Sequence, residues 1–369
     1  MLRSSATENL EDNTSHPQDP AVLRRRWHEL RAGRPRLRIR EGAATLGTTE
    51  AELVAAGCGD TAVRLKGPLP RILEGLGDLG EVMALTRSDH AVHERHGCYR
   101  DVRNGGAVAL LLPSDGLELR VFYRRWHHGF AVTEDTAAGT RRSFQFFDSD
   151  GTTVHKVYLT DKSDAGVYES LVAHHRHPDQ SGELYVHPYP ATPLRLADEA
   201  VDVAELRRRW NATSHAYELD ILLCGSGVDR LQALRLVGHP QAEAVSPASL
   251  RVVLQGCAEQ GLPLRIQVAS PGVVQTHCGP VARLVETGPW FNVLDPEFSL
   301  HLRDSAVASA WVVRLSTIHG DIASLELFDA AGGRVAVLTG ERLPGCAQSA
   351  AWLDLLAALP APGAGRAPR

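Results

Sequence analysis

The chain repeats itself at long range. Leu23-Arg24-Arg25-Arg26-Trp27 returns as Leu206-Arg207-Arg208-Arg209-Trp210. Val92-His93-Glu94-Arg95-His96-Gly97 is echoed by Val274-Gln275-Thr276-His277-Cys278-Gly279, and Ser143-Phe144-Gln145-Phe146-Phe147-Asp148 by Ser324-Leu325-Glu326-Leu327-Phe328-Asp329. The separations are 183 residues (Trp27 to Trp210), 182 (Val92 to Val274) and 181 (Phe147 to Phe328). So steady an offset implies tandem duplication of one domain of about 180 residues, far beyond any solenoid period. One fold must be explained, and function is expected where the copies differ.

The local pattern gives the class of that fold. Ala21 to about Gly57 reads as helical, and Thr49 followed by Glu52 is a capping-box signal for a helix from Glu50 to Ala56. From Leu85 the runs shorten. Ala107–Leu112, Leu117–Phe122, Gly129–Thr133, Ser143–Phe147 and Val154–Tyr158, several of them alternating, are separated by Gly, Asp and Ser and read as antiparallel strands. Asp150-Gly151 is a hairpin turn of the Asp-Gly type. The second copy repeats the order, with helices from Val203 to about Gly261, strands from Leu264 to Leu338 and a closing helix from Ala350 to Leu359. Helices followed by a long meander in each half define an α+β fold. The expected units are a tail at 1–20, a first repeat at 21–173, a linker at 174–200, a second repeat at 201–359 and a tail at 360–369.

Composition excludes some classes. A formal net charge of -5 argues against a general polyanion binder. No apolar run approaches the ~20 residues of a membrane span, and Met1 to Pro20 lacks the apolar core of a signal peptide. Six scattered cysteines without a CxxC pair point to reduced thiols and a cytoplasmic location. Glu41 to Leu53 resembles a helix-turn-helix, but its would-be reading helix offers Thr48, Thr49, Glu50 and Glu52, which meet DNA phosphates with repulsion; DNA is disfavoured. The histidines around His174-His175-Arg176-His177 and His187 fall in the proline-containing linker, where solvated side chains are expected rather than a metal site. The two triple-arginine runs, each before a tryptophan, read as structural helix faces.

Longer motifs carry a resemblance. Val82 to Glu94, Leu117-Glu118-Leu119-Arg120 and Gln145-Phe146-Phe147-Asp148 are similar to the first half of the cytoplasmic haemin-degrading and haem-trafficking family. Trp290 to Leu302, Ala310-Trp311-Val312-Val313-Arg314 and Ser324 to Phe328 resemble its second half, so the likeness runs from about Leu23 to Leu359. It implies a protein that accepts imported haem between its halves, for carriage or for oxidative breakdown, with a haem importer or a haem oxygenase as partner. It also implies an iron-ligating histidine in the second half and, facing it, an arginine of the first half, here Arg120.

The chain departs from that pattern at the ligand. The implied histidine position, seven residues after Trp210, is Tyr217, while His215 stands two residues earlier. Residues two apart do not share a helix face. A tyrosinate is a legitimate ferric-haem ligand, so Tyr217 and His215 are alternative ligands, and a lapsed site that takes another planar ligand or a protein is the third reading. The resemblance places Arg230, Arg314 and Arg342 around the pocket, with Arg230 and Arg342 suited to propionates, which arginine binds bidentately. A family lysine is Leu315 here and a family tyrosine is Thr339. His93 reads from its strand as a surface residue; in some relatives its equivalent binds a second haem, whereas the second copy carries Gln275 there.

Overall fold

The computed structural model describes residues 18–112, 116–137, 139–189, 195–224, 226–342 and 346–363, with Tyr217 and Cys224 described by their backbones alone. Most of both expected tails, and residues 190–194 of the expected linker, lie outside the described residues. The first copy runs α1 (Pro20–Gly33), α2 (Ile39–Leu46), α3 (Glu50–Ala55), β1 (Ala62–Leu65), α4 (Leu69–Gly75), β2 (Gly80–Arg87), β3 (Ala91–Gly97), β4 (Val102–Asn104), β5 (Val108–Leu111), β6 (Glu118–Phe122), β7 (His128–Thr136), β8 (Gly139–Phe147), β9 (Thr153–Ser163) and α5 (Ala165–His175). The second runs α6 (Val203–Asn211), α7 (Ala216–Cys224), α8 (Arg230–Val237), β10 (Ala242–Val245), α9 (Ser249–Gln260), β11 (Leu264–Ala269), β12 (Val273–Gly279), β13 (Leu284–Thr287), β14 (Trp290–Asp295), β15 (Phe298–Leu302), β16 (Ser309–Thr317), β17 (Gly320–Phe328), β18 (Arg334–Gly340) and α10 (Ala350–Ala357).

The strands form two nine-stranded sheets, and each sheet takes strands from both copies. One has the order β1-β7-β8-β9-β2-β3-β15-β14-β13, the other β10-β16-β17-β18-β11-β12-β6-β5-β4. Three strands of each copy therefore complete the sheet of the other. The junctions are antiparallel ladders: β3 to β15 pairs His93 with Leu300, and β12 to β6 pairs Val274 with Arg120. The duplication is an interlocked pair, and the expected boundary after residue 173 falls inside α5.

The inner faces of the sheets meet where β2 and β3 face β11 and β12, and the Gln275 amide crosses between them to donate to the Ala84 carbonyl (3.0 Å). Alternation along β8 sends Phe144 and Phe146 into the first copy's core, and Leu325 and Leu327 of β17 do the same in the second. Burying each such side chain stabilises by about 1.5–3 kcal/mol. The opposite face of the second copy's sheet carries Val313, Leu315 and Phe328, covered by Leu206, Trp210, Leu219 and Leu223 of α6 and α7.

Local signals explain several elements. Thr49 and Glu52 form the capping box of α3. Gly151 at φ 82° makes the β8–β9 turn, and a Cβ there would come within 2.4 Å of Thr49 Oγ1, so the turn packs on the cap of α3. α3 buries Glu50, Ala51, Leu53 and Val54, leaving no face for a DNA groove. The linker departs from expectation. His174 and His175 end α5, His175 is buried, and Leu184 and Val186 enter the core beside Phe130. The chain after α5 is packed because Lys66 and His177 exchange backbone hydrogen bonds with the segment beside β1 (His175 carbonyl from Lys66 at 2.7 Å, Arg64 carbonyl from His177 at 2.8 Å).

Candidate ligand cleft

In β6, Leu119 and Val121 point into the core, so Arg120 points to the outer face, the side occupied by α6 to α8. Val274 lies directly beside it in the ladder, and Gln267 and Val337 continue the same outer surface across β11 and β18. A pocket is lined here by Gln267, Ala269, Val274, Arg334 and Val337. Leu110, the other ladder neighbour of Arg120, is 38% exposed.

Helix α7 reaches this surface through Asp220, which pairs with Arg334 at 3.2 Å. Its start is fixed by Glu218, whose carboxylate accepts from the backbone N–H of Ser214 (2.8 Å) and His215 (3.1 Å). Leu219 and Leu223 pack down into the core. Ile221 is 67% exposed, and the side chain of Tyr217 lies outside the described residues. His215 is on the bend before the helix, with its ring 5.4 Å from that of His319 at the β16–β17 hairpin. Ile318 N–H donates to the Ser214 carbonyl (3.1 Å), which docks that end of the helix onto the hairpin.

The arginines singled out by sequence are differently disposed. Arg230 is held against Glu326: its Nε donates to Oε2 at 3.0 Å and a second nitrogen bonds Oε1. Glu326 is buried, and Arg230 also lies over the Trp210 ring at 5.5 Å. Burial alone lowers the pKa of Arg230, but the Glu326 carboxylate holds it above the usual range. A propionate role for Arg230 is thus met by an internal carboxylate. Arg314 reaches outward to Glu243 (3.2 Å) and the Pro240 carbonyl at the β10 edge, three strands from β11. Arg342 donates to the His319 carbonyl at 2.6 Å. Leu315 is buried in the cluster with Trp210, so that position now serves packing.

Two residues that sequence reasoning passed over do line the cleft. Asp220 of α7 pairs with Arg334 at 3.2 Å and with Arg230 at 3.5 Å, and Arg334 lies 3.9 Å from Glu326. The only sequence signal was spacing, since Asp220 stands one helical turn after Tyr217.

The first copy carries the equivalent outer sheet surface with different chemistry. The offset of 181 places His301 where the second copy's sheet has Arg120, and the ladders agree: Val92 pairs His301 as Val274 pairs Arg120. His301 Nδ1 bonds Asn292 Oδ1 at 2.7 Å, and burial lowers its pKa. The floor there carries Arg87, Glu94 and Lys156 at the places of Ala269, Thr276 and Val337. Even the helix clamp is reversed in sign. Glu50, first residue of α3 after its Thr49 cap, pairs with Lys156 at 2.5 Å and accepts from Thr153 at 2.7 Å; Arg230, first residue of α8 after Asp229, pairs with Glu326. Burial opposes ionisation of Glu50, yet the Lys156 ammonium holds its pKa below the usual range.

His93 corrects the surface reading: it is 0% exposed, on the inward face of β3, with neither ring nitrogen hydrogen-bonded among the described residues. Its ring lies 4.9 Å from Phe298, which stacks on His277 at 3.8 Å. Burial, then the neighbouring His277, keeps its pKa well below the usual value. It faces neither cleft.

Two interlocked copies, each with a helical layer packed on the outer face of a shared sheet, define a duplicated α+β class. Comparison with known proteins is specific: a model of the haemin-degrading HemS.ChuX domain matches twice, at residues 47–175 and 227–359, and the chain belongs to that family. It is 35% identical over 90% of its length to the hemin transport protein HemS of Yersinia enterocolitica, covering 95% of that protein. The crystal structure of holo-PhuS, a heme-binding protein from Pseudomonas aeruginosa, superposes with a TM-score of 0.90 at 41% identity, over 93% of this chain and all of that one. The heme degrading enzyme ChuS of Escherichia coli O157:H7 superposes at 0.86 with 32% identity, over 92% and 99%. The two family matches stop short of α6 and α7, so they leave out the segment carrying His215 and Tyr217.

Proposed function

We propose that this chain is an intracellular haem-binding protein that accepts haem in the second-copy cleft and holds it for delivery or breakdown. The observation that carries the reading is the chemistry of that cleft. A small pocket on the outer sheet face is lined by Ala269, Val274, Val337 and Arg334, Arg120 and Leu110 share that face beside it, and Ile221 of α7 is exposed. A flat, apolar dicarboxylate suits such a surface, and the donor set fits the group: Tyr217 or His215 from the α7 side, Arg120 from the sheet. Relatives named for hemin transport and heme binding support the same reading. The cytoplasm is the proposed compartment, consistent with the described cysteines all being unpaired thiols. An importer upstream and a haem oxygenase downstream are the proposed partners. No helix among the described residues is long and apolar enough to cross a membrane.

Bound haem supplies iron and, with reductant, redox chemistry. The protein's own contribution would be orientation: Tyr217 or His215 would hold the group and Arg120 of β6 would offer it a donor. Breakdown of haem by this chain is the second reading, favoured by Arg120 on the same outer sheet face as the pocket. Titration with haemin should give a saturable Soret shift. Tyr217→Phe should change a high-spin tyrosinate-type spectrum if Tyr217 ligates, and His215→Ala a histidine-type spectrum if His215 does. No saturable binding would sink the proposal. Adding ascorbate with catalase present separates the readings: Soret bleaching with a linear tetrapyrrole means turnover, an unchanged spectrum means carriage.

A further inference from the structure

Of the arginines around the second-copy cleft, three are engaged away from its floor. Arg230 is bound to a buried carboxylate, Arg314 to Glu243 at the β10 edge, and Arg342 to the hairpin carbonyl of His319. Arg334 is different. It lines the pocket itself, and its closest carboxylate partner is Asp220, a half-exposed residue on the helix that carries Tyr217. Its contact to Glu326 is longer, at 3.9 Å, and that carboxylate already accepts two bonds from Arg230. Two bonds at 3.2 and 3.4 Å therefore tie the floor to α7 across the mouth of the cleft. A part-exposed ion pair of this kind adds little to stability, so a ligand carboxylate can replace Asp220 at little cost.

We infer that Arg334 receives an acidic group of the ligand by exchanging it for Asp220, so that the Asp220–Arg334 pair is a latch holding α7 until the ligand arrives. This rests on the reading of the cleft as a haem site and names the residue that selects for the ligand's carboxylates. It also accounts for Leu315 and Thr339: with those positions given to packing and to the β17–β18 ladder, the cationic contact is supplied from β18. The exchange moves no proton and breaks no covalent bond. Arg334 keeps one carboxylate partner throughout, and Asp220 keeps Arg230 at 3.5 Å when released.

The test compares haemin with haemin dimethyl ester, which has the same macrocycle and no carboxylates. Arg334→Gln should weaken haemin about tenfold or more, the range of a charge-assisted contact, and leave the ester unchanged. Arg334→Lys should recover part of the loss. Asp220→Asn removes the competing carboxylate and should tighten haemin about threefold, again with no effect on the ester. A merely structural Asp220 gives the opposite sign, weakening both compounds alike. Circular dichroism melts check that each variant is folded. If wild-type protein saturates with haemin but Arg334→Gln binds it equally well, or Asp220→Asn weakens it, the latch is overturned while the haem reading stands. If wild-type protein does not saturate with haemin, both fall.

Discussion

Arg230 tests whether the site is read correctly, because its sequence role and its structural role make opposite forecasts. Arg230→Met leaves Glu326 buried with its bidentate partner gone. Breaking a buried pair by removing one member costs about 3–5 kcal/mol, mainly the penalty of the uncompensated charge. Unfolding entropy of about 2.1 cal/mol/K per residue over 369 residues gives roughly 0.8 kcal/mol/K, so Tm should fall by about 4–6 °C. Arg230→Met combined with Glu326→Leu removes both charges and keeps the volume. Such replacements are commonly neutral or stabilising, so Tm should return to within about 1–2 °C of wild type. On the proposal that Arg334 and not Arg230 meets the ligand, haemin affinity of the double variant should stay within about threefold of wild type. Differential scanning fluorimetry with haemin titration reads both quantities. A double variant that regains stability yet binds haemin tenfold more weakly would refute the clamp and restore Arg230 as a propionate partner.

Acid should destabilise the fold through histidines buried neutral. Burial lowers His277 to about 4 and His155 to about 3 from 6.5. Between those values and 6.5 the unfolded chain binds more protons, so stability is full above about pH 6.5 and declines as pH falls toward 4. His277→Gln should flatten that decline in urea melts at pH 4.5 against pH 7.5; an unchanged slope counts against it. A fragment ending at residue 189 loses the β13–β15 strands that complete its sheet and leaves β4–β6 without one, so size-exclusion chromatography should show a dimer or aggregate. A compact folded monomer would mean that the interlocking is dispensable. Glu50→Gln should leave Lys156 buried without its partner and lower stability by about 3–5 kcal/mol, and Glu50→Gln with Lys156→Met should regain most of it.

Much of this architecture is written locally. The capping box at Thr49, the Asp150-Gly151 turn and the alternation of Ser143–Phe147 specify elements from a few neighbouring residues, and the structure has them where those residues predict. The exchange of strands is not written that way. Leu117–Phe122 has the same alternating pattern whether its ladder partner is β2 of its own copy or β12 of the other, because alternation fixes a face and not a neighbour. The short edge strands β1 and β10 carry no such signal: four residues are too few for a period, and β10 falls inside the stretch from Val203 to Gly261 that reads as helical. His93 failed as a surface residue because its burial comes from a sheet pairing across the copies. Arg230 is a ligand contact by the resemblance alone, and a matched position carries no mark of an internal partner 96 residues away.

The interlocked sheets also divide the molecule's constraints unevenly. Inward-facing side chains of each copy are shared property: a change at Gln275 is felt at Ala84 of the other copy, so those positions answer to both halves at once. Outward-facing side chains answer only to their own cleft. The floor of one could become Arg87, Glu94 and Lys156 while the floor of the other stayed Ala269, Thr276 and Val337, with no penalty to the common frame. Doubling the frame this way does not double the chemistry; it gives one scaffold two independently adjustable surfaces.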